Sequence, residues 1–266
     1  MSVYEDTTHD DRQYTVLVTG FGSYGEIPIT AGMITKLLPS SLPGSDPRNV
    51  SGKNITVLSA DHDFAVLPTQ MGFIRHRLKE LHDEYGSSVT LWIHLGQWKM
   101  DFVSCERRAF RQDFISSWSH HMSDKHYYTL PDSAEKSVDD LGPNPWLAVP
   151  TGLHSEVPID ATVLAANSVL EKDIMPLKVA SHHEAGSAGC GYTFYESMAN
   201  CFVAGRRRDV IFVHVPPDAD APSLEKARDA VLAIIGAAVH ALVEQRHGKT
   251  EEKIDTDLAL GSYLDP

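Results

Sequence analysis

The sequence predicts an α/β fold, a single-domain three-layer α/β/α sandwich with a mostly parallel central sheet. Three observations carry this expectation. Short runs rich in valine, isoleucine and leucine alternate five times with stretches whose apolar residues recur every three or four positions. The links between many of these segments are marked by glycine or proline. A composition of 42% hydrophobic and 22% charged residues over 266 positions suffices for one full core. Right-handed crossovers turn such an order into strands lying side by side with helices on both faces.

Each element has its own signal. Residues 1–13 are polar and expected to be disordered. Tyr14–Thr19 reads as a buried strand, Gly20–Gly25 as the glycine turn that leaves it, and Ala31–Leu38 as a short helix. Ile55–Ser59 is the second strand. Leu67, Met71, Ile74, Leu78 and Leu81 define an amphipathic helix over Leu67–Tyr85, ended by Gly86. Val89–Leu95, apolar on both faces, is the third strand. Residues 107–158 show no sustained period and carry five prolines in their second half, from Pro131 to Pro158, which predicts an irregular insert suited to a flap over a site. Asp160 is a plausible N-cap for a helix to about Glu171, and Leu177–Ser181 is the fourth strand. A turn at Gly186–Gly191 leads into a helix to about Val203. Val210–Val215, stopped by Pro216-Pro217, is the fifth strand, and Leu224–Glu244 the closing helix, followed by a tail over 249–266.

Charge and segment lengths restrict the partners. The balance of 23 − 36 = −13, without long single-sign blocks, repels phosphate backbones and disfavours nucleic acid. The longest uncharged apolar stretch, Ala230–Val243, has 14 residues against the ~20 needed to span a bilayer, so no membrane association is expected. The acidic start lacks the basic and apolar parts of a secretion signal, which points to a cytoplasmic protein. Three widely spaced cysteines, Cys105, Cys190 and Cys201, form neither a disulfide framework nor a zinc motif. The oligomeric state is not legible.

Ligands of such folds sit beyond the C-terminal ends of the strands. Gly20-x-Gly22-x-x-Gly25 spells a dinucleotide fingerprint, with Asp46 and Asp61 as possible acidic partners. However, Glu26-Ile-Pro28-Ile continues as loop where a helix would have to open, so a tight turn is at least as good a reading. The pairs His120-His121 and His182-His183 would point their rings apart and lack any HExxH or CxxC companion, so they read as surface or supporting histidines. Cys190 differs from these. It lies where a strand passes through a glycine turn into a helix, and the unpaired N–H groups of a helix N-terminus favour a thiolate and can hold an oxyanion. His214 ends the fifth strand before a rigid proline stop, and Glu106 follows the third strand, so a Cys–His pair with an orienting carboxylate is available. Cys201, inside the helix, reads as packed and inert, and the residues around Cys190 do not form a G-x-S-x-G or G-x-C-x-G elbow.

Val18-Thr19-Gly20-Phe21, His94-Leu-Gly96-Gln97 with Glu106-Arg107-Arg108, Ala185-Gly186-x-x-x-Cys190 and Phe212-Val-His214-Val-Pro216 together resemble pyroglutamyl peptidase I, the pyrrolidone carboxyl peptidase family of cytosolic cysteine exopeptidases. The resemblance runs from about Tyr14 to the last helix. It implies Glu106, Cys190 and His214 as a catalytic triad, N-terminally pyroglutamylated peptides as substrates, and no metal or cofactor. Phe21 and Tyr24 would wall a pocket for the pyrrolidone ring, with Gln97 as its polar contact. Trp98-Lys99-Met100-Asp101 stands where family members usually carry Gly-Gly-Arg, and Ile27-Pro28-Ile29-Thr30 where Asn-Pro-Ser is usual. These departures touch the pocket and, with the long insert, motivate one alternative, a catalytically silent homologue that binds blocked peptides; the glycine fingerprint supplies another, an NAD(P)-dependent oxidoreductase built on Gly20-x-Gly22-x-x-Gly25.

Overall fold

A computed structural model describes residues 13–111, 131–173 and 176–248. The N-terminal segment up to residue 12, His120-His121 and the 249–266 tail lie outside the described residues. The strands are β1 (Tyr14–Phe21), β2 (Ser23–Tyr24), β3 (Ile27–Pro28), β4 (Ser41–Leu42), β5 (Ile55–Leu58), β6 (Val66–Leu67), β7 (Leu91–Gln97), β8 (Val103–Phe110), β9 (Gly152–His154), β10 (Val179–Glu184) and β11 (Val210–Val215). The helices are α1 (Thr30–Leu37), α2 (Met71–Tyr85), α3 (Ile159–Leu170), α4 (Gly189–Val203) and α5 (Ala221–Arg246).

Among the described residues the main sheet has nine strands, with the path β10-β8-β11-β7-β1-β5-β4; β6 pairs with the end of β1 and β9 with β8. β11, β7, β1 and β5 are mutually parallel. β8 runs antiparallel to β11, and β10 is parallel to β8. The result is a single α/β domain with a mostly parallel sheet between helix layers. One apolar cluster joins the sheet to α1, α3 and α5, and a second joins its other face to α2 and α4.

Two expectations change. Residues 107–158 are not irregular throughout: 107–110 complete β8, β9 folds back onto it, and Trp146 and Val149 are buried in the second of these clusters. β8 escapes a hydrophobic pattern because Ser104, Glu106, Arg107 and Arg108 fill half of it, although three of these are buried. The fourth strand also reverses its expected direction relative to β11. Only Trp98–Phe102 separates β7 from β8, too short a link for a crossover helix, so β8 must return antiparallel. The long connection through α3 then brings β10 in parallel to β8.

The glycine turn serves packing. A Cβ on Gly20 would lie 2.7 Å from the Ala31 carbonyl oxygen, and one on Gly32 would lie 2.7 Å from that of Phe21, so glycine lets β1 and α1 touch. Gly25 lies in the turn of the β2–β3 hairpin, and α1 opens only at Thr30. A pyrophosphate would find no helix N-terminus among these glycines, which removes the basis of the oxidoreductase alternative. Among the described residues, no helix is long and apolar enough to cross a membrane, and no group of three His, Cys, Asp or Glu side chains could hold a metal ion.

On β7, burial pushes the His94 ring down to about 3 while Thr19 Oγ1 lies 2.8 Å from its Nδ1. A histidine depressed in the folded state takes up its proton on unfolding, so its contribution is present above the unfolded pKa and lost as pH falls towards the folded one. Urea unfolding should therefore show His94 removing about 2 kcal/mol of stability between pH ~6.5 and ~4.5. His94→Gln should flatten this slope in part, because His82, also held neutral by burial, remains. An unchanged slope would contradict the assignment.

Candidate active site

The site forms where α4 aims its N-terminus at the ends of β7 and β11. Ala188 precedes the helix without a capping side chain, and the first intrahelical bond in this turn is Tyr192 N–H to the Ala188 oxygen. The amides of Gly189, Cys190 and Gly191 are thus the donors at the helix start without an intrahelical partner. Cys190 is the second helical residue, half-buried, with its thiol over Gly96. A Cβ on Gly96 would come within 3.0 Å of the Cys190 sulfur and 2.7 Å of Phe212 Cζ. The absence of a side chain there is what lets α4 settle onto the sheet.

Gly96 is paired in register with His214 on β11. The His214 ring is buried between Phe212, 5.0 Å away by ring centroid, and Trp98, 6.0 Å away. Its Nδ1 lies 2.8 Å from Glu106 Oε1. Its Nε2 is buried and makes no well-formed hydrogen bond, and the neighbouring charge that acts most on the ring is Cys190. Burial works against an imidazolium here; Cys190 and then Glu106 outweigh it and raise the His214 pKa to about 10.

Glu106 sits in the middle of β8 rather than just past the third strand, with 0% of its surface exposed. Burial alone would raise its pKa, but hydrogen bonds from His182 and His214, with Ser104 adding a third, hold it below the usual carboxylate range. His182 Nδ1 stands 2.8 Å from Glu106 Oε2, and Ser104 Oγ donates to Oε1. The structure therefore brings Cys190, His214 and Glu106 together from α4, β11 and β8.

The other two cysteines lie in different surroundings. Burial pushes the Cys105 thiol up strongly and the Cys201 thiol up to about 12. Cys201 packs in α4 with its sulfur 3.9 Å from His82 Nδ1.

A pocket of about 470 Å³ opens beside Cys190, and Phe21, Tyr24 and Gln97 all line it. Phe21 is buried, while Tyr24 is exposed and donates its hydroxyl to the Pro131 carbonyl at 3.2 Å. Gln97 Oε1 accepts from the backbone and side chain of Thr30 at 2.8 and 3.0 Å, which leaves Nε2 as its remaining donor. Sequence reasoning missed further parts. Trp98, 59% exposed, contributes to the mouth, and Asp132 forms a wall while its Oδ2 accepts from the Met71 amide at the start of α2. His182, read as a surface or supporting histidine, is exposed and also touches Glu106; which group it supports becomes legible only once β8 is recognised as a strand.

No protein-family model matches the chain, and no curated protein does. Solved structures do. A mutant pyrrolidone carboxyl peptidase from the hyperthermophile Pyrococcus furiosus superposes with a TM-score of 0.62 at 21% identity, over 86% of this chain and 99% of that one. The pyrrolidone carboxyl peptidase from Thermococcus litoralis gives a TM-score of 0.64 at 16% identity, over 91% and 99% of the two chains. The chain has the fold of the pyrrolidone carboxyl peptidases.

Proposed function

We propose that this protein is a cysteine peptidase that hydrolyses the amide bond after an N-terminal pyroglutamyl residue. The observation that carries the reading is the alignment of Glu106, His214 and Cys190 at an uncapped helix N-terminus beside a mostly apolar pocket. The fold shared with pyrrolidone carboxyl peptidases supports the substrate class.

In this reading Phe21 and Tyr24 face the neutral pyrrolidone ring. Gln97 Nε2 donates to the lactam carbonyl, since Oε1 is already committed to Thr30. A free glutamyl side chain or a charged amino terminus would have to lose its hydration in the same apolar space, which favours the uncharged ring. The Cys190 thiolate attacks the carbonyl carbon after pyroglutamate. The resulting oxyanion meets the amides at the start of α4. The C–N bond then breaks as His214 gives its proton to the departing amine, leaving a thioester on Cys190. Next, His214 takes a proton from water, the hydroxide displaces the thiolate, and free pyroglutamate leaves. Glu106 keeps the imidazole oriented and supports its positive charge throughout.

Release of a fluorophore from a pyroglutamyl amide tests the reading. Cys190→Ala should lower kcat by a factor of about 10³ or more, and prolyl and glutamyl amides should be poor substrates for the wild type. Full activity in Cys190→Ala would overturn the nucleophile. Iodoacetamide should alkylate Cys190 well before Cys201 at and below neutral pH. Alkylation of Cys190 as slow as that of Cys201, with tight binding of a blocked peptide and no turnover, would instead establish the silent homologue.

The raised His214 pKa sets the alkaline limit. Because the protonated ring must supply the leaving amine, kcat should hold through neutral pH and fall as pH rises through about 10. A decline centred near ~6.5, the ordinary histidine value, would show that the ring is not held by Cys190 and Glu106.

A further inference from the structure

Neither the proposed mechanism nor the pocket uses His182. It lies directly across from Glu106 in the parallel pairing of β10 with β8. Its side chain is 55% exposed, in contrast to the fully buried carboxylate that it touches. His182 Nδ1 stands 2.8 Å from Glu106 Oε2 and 2.9 Å from the Glu184 carbonyl oxygen. Both neighbours accept hydrogen bonds, so Nδ1 carries a proton and forks it between them.

The two carboxylate oxygens of Glu106 thus have separate duties. Oε1 receives His214 and Ser104, while Oε2 receives His182. A buried carboxylate oxygen without a donor is costly, and the group responds by turning or by taking up a proton. Either response weakens the anchor of the His214 ring. We propose that His182 is a positioning residue that holds the outer oxygen of Glu106, so that the inner one stays directed at His214. This inference rests on the cysteine-peptidase reading. The groups that act on His182 are Glu106 on β8, His214 on β11 and the Glu184 backbone on its own strand, and Glu184 in turn feels Arg108 and His183. Glu106 dominates them and raises the His182 pKa.

Three variants test the role. His182→Ala removes the donor, and His182→Asn keeps an amide nitrogen near the place of Nδ1. His183→Ala alters the next residue of the strand, which faces the opposite side. Two measurements are made on each: kcat and KM for a pyroglutamyl amide, and the rate of Cys190 alkylation near neutral pH. For His182→Ala, kcat should fall about tenfold with KM little changed, the size expected for one charge-assisted hydrogen bond, and alkylation should slow in parallel. His182→Asn should recover most of both, and His183→Ala should leave both near wild type.

Wild-type kcat and alkylation in His182→Ala, with at most a lower melting temperature, would overturn the positioning role while leaving the peptidase reading intact. An equal loss in His182→Asn and His182→Ala would overturn it too, because a retained donor would then make no difference. If no variant and no wild type cleaves the amide, but alkylation still slows in His182→Ala and recovers in His182→Asn, the peptidase reading fails and the positioning role stands.

Discussion

Glu106 is an ionised carboxylate in the middle of a sheet with no surface exposed to water. A charge in that position persists only when donors replace its lost hydration, because removing a single partner leaves an uncompensated buried oxygen. Here the donors come from three strands: Ser104 on β8 itself, His182 on β10 and His214 on β11. The register of these strands and the electrostatics of the site are thereby one constraint. A slip of one residue in β8 would send Glu106 to the opposite face and strand both rings. The antiparallel insertion of β8 between β10 and β11 is what gives one carboxylate a histidine on each side.

The sulfur reaches this network through packing. Helix α4 can bring its first turn onto the sheet because Gly96 presents no side chain beneath Cys190, and Phe212 fills the space beside it. The same helix buries Phe194, Tyr195 and Met198 in the layer shared with α2, so the position of its first turn is held by a substantial part of the core. Gln97, one residue beyond Gly96, ties the end of β7 to the start of α1 through Thr30. One strand end therefore sets both the seat of the Cys190 sulfur and a wall of the pocket.

Much of this was legible in the sequence, and its failures share one physical origin. The strands Tyr14–Phe21, Ile55–Leu58, Leu91–Gln97 and Val210–Val215 are apolar and sit where hydrophobic periodicity places them, as do the five helices within a few residues. Cys190 and His214 could be singled out because one follows a glycine turn and the other precedes a proline stop, and Glu106 because it comes after the third strand in the chain. β8 could not be recognised that way, since its buried side chains include Ser104, Glu106 and Arg108, and the Glu106 charge is held inside by histidines from two other strands. With β8 hidden, Glu106 reads as lying just past the third strand, the fourth strand reads as a parallel neighbour of the fifth, and the group that His182 supports has no visible place. Local patterns report burial of apolar side chains; they do not report burial that depends on a tertiary hydrogen bond.

The three cysteines show the same dependence of chemistry on surroundings. Cys105 lies on β8 beside Glu106 in the chain, yet its thiol enters the apolar layer under α3 and α5, where burial and the adjacent carboxylate both oppose ionisation. Cys201 shares α4 with Cys190 but lies about three turns into the helix, beyond reach of the free amides at its start, and burial keeps it a thiol. Cys190 alone combines partial exposure, unpaired helix amides and a ring whose positive charge is held by a buried carboxylate. Moving the sulfur by one helical turn would preserve the residue type and the helix while removing two of those three conditions. The setting of Cys190 thus comes from the meeting of α4, β11 and β8, where Glu106 carries a histidine on each of its oxygens.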